Sequence, residues 1–231
     1  MNVRFVALLA ALLPFVAVHA TYLVAASYGQ VEWCNPYFDS CTSISATGRH
    51  APASYLFRAT MLPSAVIMMA YWWLNHAWLK MMGENHPLYR PRTNNAMLIL
   101  GVIACLGLIL YVTVLGEPGA AWARQRRIGT ALFFSFTYLA QLLLLHQIRQ
   151  LRPLLAKLLV TAMFIVSVVL IVLGVMTLVL DAWNEHWYDR VEDAFEWNLT
   201  LLLQLNFLLG YLVWRRANWR LAVRSHANEG H

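Results

Sequence analysis

The chain is 231 residues long, 60% hydrophobic and only 12% charged, with a formal net charge of +6; an ordinary soluble domain is roughly 45–50% apolar and about 25% charged. That balance, with a mean hydropathy of +0.55, excludes a water-soluble globule, because a chain of this size has no interior large enough to hide so much apolar surface. The basic residues are scattered over loop ends and form no stripe interleaved with aromatics, so nucleic acid is not an expected partner.

A hydrocarbon core about 30 Å thick needs ~20 apolar residues in helical form, and six stretches reach that length. The first, Phe5 to Tyr28, starts like a cleavable leader, with Arg4, a short apolar run and Val18-His19-Ala20. The apolar run continues through Tyr22-Leu23-Val24-Ala25-Ala26, so it is read as a retained span. The loop from Gly29 to Ser54 holds Cys34 and Cys41, whose spacing around a Pro-containing turn predicts a disulfide in an oxidising compartment. With only His50 nearby, those two sulfurs make a poor zinc site. The second span, Tyr55 to Leu79, carries Arg58 one turn in and Asn75-His76 near its end. The third, Ala96 to Leu115, contains Cys105, expected to be an inert small hydrophobe. A short connection bearing Arg124, Arg126 and Arg127 leads to the fourth, Ile128 to Ile148, with Gln141 and His146. The fifth runs from Leu154 to Leu180.

Next comes an acidic stretch, Asp181 to Asp193, with His186 among its carboxylates. As one helix it would put Glu185, Asp189 and Glu192 or Asp193 on one face, with His186 and Arg190 elsewhere. That spacing suits a solvated cap better than a divalent-metal shell. The sixth span, Phe195 to Val213, opens on Glu196 and contains Gln204 and Asn206. Its Asn198-Leu199-Thr200 sequon lies too close to the membrane to be modified. Gln141, Gln204, Asn206 and Asn75 are expected to bond between helices. Because backbone groups in hydrocarbon must satisfy one another, the fold expected is all-α: a polytopic membrane protein, one six-span bundle over residues 1–231, with no room for a soluble catalytic domain.

With the N-terminus in the cytoplasm, eleven of the seventeen basic residues fall on the inner side and nine of the eleven acidic residues outside. That bias predicts both termini inside, with Arg124, Arg126 and Arg127 running against it. Trp33, Trp122, Trp183, Trp187 and Trp197 near outer ends, and Trp72, Trp73, Trp78, Trp214 and Trp219 near inner ends, read as two interfacial belts. The inner, basic surface suits anionic headgroups. The inner (plasma) membrane of a bacterium is the expected location. His76 and His146, ending the second and fourth spans on one side, could flank a haem. His19 near the opposite surface has no evident second histidine, so interfacial histidines, and no cofactor or metal, are expected.

The run Thr42-Ser43-Ile44-Ser45-Ala46-Thr47-Gly48-Arg49-His50-Ala51-Pro52, leading into Tyr55-Leu56-Phe57-Arg58, resembles the first-loop motif of the DRAM/Frag/Sfk family, which includes damage-regulated autophagy modulators and the post-GPI-attachment factor. Ala194-Phe195-Glu196-Trp197 is similar to the family's acidic entry to the sixth span, and the six-span layout matches. One position departs: family members often carry a histidine three residues before a glycine at the entry to the fourth span, where this chain has Arg126 before Gly129. The resemblance implies phospholipid organisation, GPI-lipid remodelling or autophagic membranes. The expectation is a phospholipid bound without catalysis at an outer-leaflet site built from Ser43, Ser45, Arg58, Glu196 and Trp197, with Arg58 and Glu196 paired at similar depth. The rival readings are an enzyme remodelling lipid acyl chains or headgroups with Glu196 as acid or base, and a haem electron carrier. Against the enzyme stands the lack of a hydroxyl with an evident base beside it.

Overall fold

A computed structural model describes residues 3–151 and 157–219. Its elements are helices: α1 (Arg4–Ser27), α2 (Ile44–Thr47), α3 (Ala53–Gly83), α4 (Pro91–Thr113), α5 (Ala120–Leu151), α6 (Lys157–Trp183), α7 (Glu185–Tyr188) and α8 (Glu192–Arg216). Six of them are long and apolar enough to cross a membrane, and the protein is an integral membrane protein. The expected start of the fifth span at Leu154, and Arg152, Arg220 and Arg224 of the basic bias, lie outside the described residues.

Most helices run past the apolar stretches because polar turns extend them. Arg124, Arg126 and Arg127, expected in a connection, occupy the first turns of α5. Pro91 opens α4 at its first helical position, where its missing N–H costs nothing, after an extended Arg90. Glu192 and Asp193 begin α8 and Arg215 and Arg216 end it, matching the helix dipole at both ends. The acidic stretch is not one helix. α6 ends at Trp183, and the Asn184 side chain caps α7 by accepting the Trp187 N–H at 3.0 Å.

The six long helices form a closed ring in the order α1, α3, α4, α5, α6, α8. The α4–α5 interface is the most extensive and α5–α6 the thinnest of the ring. Glycine explains the first. A Cβ on Gly129 would stand 2.6 Å from the Gly107 carbonyl oxygen, so only glycine lets these two backbones touch. Interhelical polar bonds stitch the rest as expected: Gln141 Nε2 donates to Leu203 O at 3.1 Å and Asn206 Nδ2 to Ser167 Oγ at 3.3 Å. Gln204, with its amide turned to suit its neighbours, donates to Ala11 O at 3.1 Å.

The two tryptophan belts need correcting. Trp33, Trp73, Trp122, Trp183 and Trp187 are exposed, but Trp72, Trp78, Trp197 and Trp214 are at most 1% exposed, and Trp219 is buried too. At the end of the bundle nearer both ends of the described chain, Tyr71 stacks on Trp214 with ring centroids 5.3 Å apart and Trp219 meets Trp214 edge to face at 4.7 Å. Trp214 Nε1 donates to Asn75 Oδ1 at 3.1 Å, which satisfies a buried indole that an interface position would have left to water.

Candidate functional site

The loop between α1 and α3 is pinned at both sides. Cys34 and Cys41 are bonded, with their Cα atoms 6.6 Å apart. The Tyr22 hydroxyl of α1 accepts from Cys34 N and donates to Cys34 O, each at 2.8 Å. His19 uses both ring nitrogens, one on Phe15 O at 2.7 Å and one on the Tyr37 hydroxyl at 2.9 Å. Burial pushes that phenol's pKa up, so Tyr37 stays a neutral partner. Three bonds then tie the loop to the first turns of α8: Ala194 N to Ser40 Oγ at 3.1 Å, Asn198 Nδ2 to Tyr37 O at 3.0 Å, and Trp197 Nε1 to Thr42 O at 2.9 Å.

This clamp sets α2 against the start of α8. Ser43 caps α2, its Oγ accepting from Ala46 N at 3.0 Å and lying 3.0 Å from Ser45 Oγ. Arg49 Nη2 donates to Ser45 Oγ at 3.1 Å, and Glu196 of α8 lines the same space as Ser43 and Ser45. Between α2 and α8 opens a polar cleft of about 330 Å³. Ser43, Ser45, Arg49, Glu192, Asp193 and Glu196 form its polar lining, and Tyr188 and Thr177 stand at its edge. Burial first, then the nearby carboxylates of Glu192, Asp181 and Glu196, push the Tyr188 pKa up and keep the phenol protonated.

The structure therefore gathers Ser43, Ser45 and Glu196 as the sequence suggests, and departs from it in three ways. The Arg58–Glu196 pair does not form. Arg58 Nη2 donates to Leu115 O and lies 3.9 Å from Glu117 Oε1, so it clasps the turn between α4 and α5. Arg126, the residue at the departing position, reinforces the same turn by donating to Glu117 O at 2.8 Å and Val114 O at 3.3 Å. The cleft's cation is Arg49 instead. Trp197, only 1% exposed, anchors the loop from behind and is not part of the lining. Glu192, Asp193 and Tyr188 are not expected at the site because the acidic stretch reads in sequence as a solvated cap, and Thr177 is hidden in the apolar run of the fifth span. The four-residue spacing from Ser45 to Arg49 was the signal that could have placed Arg49.

Beneath the cleft lies a narrow apolar cavity of about 30 Å³, lined by residues of α1, α2, α3, α4, α5 and α8. Glu196 and Phe134 line both. The carboxylate thus stands where a polar mouth meets an apolar interior. No histidine lines either space, and among the described residues no group of three or more His, Cys, Asp or Glu could hold a metal ion. His76 is half-buried on α3, whereas His146 is exposed on α5.

No curated protein and no solved structure matches the chain. The Frag1/DRAM/Sfk1/Cwh43P N-terminal domain matches residues 2–212, a stretch that takes in all six long helices except the last turn of α8, and includes the loop, the cleft and Arg126. The chain belongs to this family.

Proposed function

We propose that the protein binds a zwitterionic phospholipid by its headgroup in the cleft, without catalysing a reaction on it. The observation that carries this reading is the charge arrangement: one guanidinium, Arg49, lines the same cleft as the carboxylates of Glu192, Asp193 and Glu196. A phosphate on Arg49 and an amine among the carboxylates would each replace water with a charge-assisted hydrogen bond. Ser43 and Ser45 add hydroxyls beside the phosphate position. The two serine hydroxyls bond to each other, to Arg49 and to the α2 backbone, with no imidazole to activate them, which favours binding over acyl transfer.

The basic bias and the oxidising compartment that a disulfide needs both support a cleft on the outer leaflet, with both termini cytoplasmic. The test is native mass spectrometry of the purified protein with its co-purified lipid. Arg49→Ala and Glu196→Gln should each lower lipid occupancy about tenfold, the effect of losing one charge-assisted bond. Occupancy equal to that of the unaltered protein in both variants would overturn the proposal.

A further inference from the structure

The ring of helices is unevenly closed. Across the thin α5–α6 seam two contacts stand out: Tyr138 donates to Ser167 O at 3.2 Å, and the Arg149 guanidinium lies 5.2 Å above the Phe164 ring. Both belong to the half of the seam nearer the chain termini. Thr177 stands ten residues beyond Ser167 on α6, about 15 Å further along the helix at 1.5 Å per residue. At that level the polar cleft replaces side-chain packing, and its walls are Phe134 of α5, Thr177 of α6 and Leu199 of α8. Beyond the seam, α6 turns an apolar face outward through Ile171, Val172, Val175, Leu178 and Val179, as a lipid-facing helix does.

Behind Phe134 is the apolar cavity, whose deeper walls include Pro14, Val18, Phe57, Met61, Leu108 and Phe133. One polar atom there lacks a partner: Thr200 Oγ1 is buried without a hydrogen bond, on a residue that lines the cavity. A buried hydroxyl left unpaired is costly, so its position calls for an acceptor. Thr200 lies four residues, about 6 Å, below Glu196 along α8. In a glycerophospholipid the ester carbonyls lie just beneath the phosphate, so a headgroup at Glu196 brings an ester oxygen to the level of Thr200.

We infer that one ester-linked acyl chain of the bound phospholipid enters the bundle sideways between α5 and α6, past Phe134, and lodges its first methylenes in the apolar cavity with an ester carbonyl accepting from Thr200. This rests on the headgroup reading for the choice of lipid and for the depth of its ester. Chain entry displaces Phe134 and enlarges this small cavity from the cleft side, while Tyr138 keeps its bond to Ser167 O deeper in the seam.

The experiment reconstitutes the full chain in nanodiscs containing a phosphatidylethanolamine with a diazirine early in its ester-linked chain, then maps photolabelled residues by mass spectrometry. Label is expected on Met61, Leu108 and Phe133. Phe134→Trp should reduce it and Phe134→Ala increase it, with melting temperatures showing that both variants are folded. Thr200→Val, which keeps the side-chain shape, should weaken competition by an unlabelled ester lipid about fivefold, the value of one hydrogen bond, and leave competition by its ether analogue unchanged. Label confined to the outward face of α6 would overturn the inference, as would equal effects of Thr200→Val on ester and ether lipids. Cavity label that survives Arg49→Ala undiminished would uphold the chain site and overturn the headgroup reading.

Discussion

Arg49 and Arg58 are both arginines near the same end of the bundle, yet they do different work. Arg58 projects from α3 onto the carbonyl of Leu115 and the carboxylate of Glu117. Its value is structural: a hydrogen bond from a charged group is worth ~1.5–3 kcal/mol, and the half-exposed ion pair adds under about 1. Arg58→Ala should therefore lower stability by about 2 kcal/mol, seen as a lower melting temperature in detergent, and leave lipid selectivity unchanged. An Arg58→Ala protein that melts normally but has lost its lipid would place Arg58 in the binding site after all. Arg49 donates to Ser45 and lines the cleft, and Arg49→Ala is expected to do the opposite.

At the scale of elements, the contrast is between one interface that is locked and one that can part. Gly107 and Gly129 bring α4 and α5 to backbone contact, and any side chain at Gly129 meets Tyr111 as well as the Gly107 carbonyl. Gly129→Leu should cost about 3 kcal/mol or more, because backbone atoms cannot step aside as a flexible side chain can. Gly174 on α6 is the control, since a Cβ there meets nothing within 4 Å. Gly174→Ala should be neutral or stabilising by up to ~1 kcal/mol, because alanine loses less conformational freedom in a helix. Thermal unfolding of the two variants side by side checks both; equal losses would mean that α6 is packed as tightly as α4.

For the whole molecule, six crossings bring the two ends of the described chain to one side of the membrane. The basic residues and the disulfide argue that this side is the cytoplasm. A reporter fused after residue 231 should be active only in the cytoplasm, and activity confined to the outer compartment would invert the bundle and move the cleft to the inner leaflet. The loop clamp also has a whole-molecule consequence. Because Tyr22, Tyr37, Trp197 and Asn198 hold residues 34–42 between α1 and α8, the α2 and α8 walls of the cleft are fixed to each other, whereas its Phe134 and Thr177 walls belong to the α5–α6 seam.

The sequence by itself determined the class of fold, the number of long helices and the family. Hydrocarbon leaves a backbone no partner but itself, so an apolar run of about twenty residues can only be a helix, and counting such runs counts the crossings. The disulfide was also legible, from the compartment and spacing of Cys34 and Cys41. Hydropathy could not place helix ends, since α5 begins in a turn rich in arginine that its apolar count ignores. Nor could it say which way a side chain faces. When a helix is apolar nearly all round, periodicity carries almost no signal about its rotation, and only packing against neighbours sets it. Tertiary structure therefore decided that Trp72 and Trp214 fill the core and do not line an interface. It turned Arg58 to Glu117 and left Arg49 for the cleft. It also set Glu196 between a polar mouth and an apolar interior, because that place exists only once α2, α5 and α8 have come together.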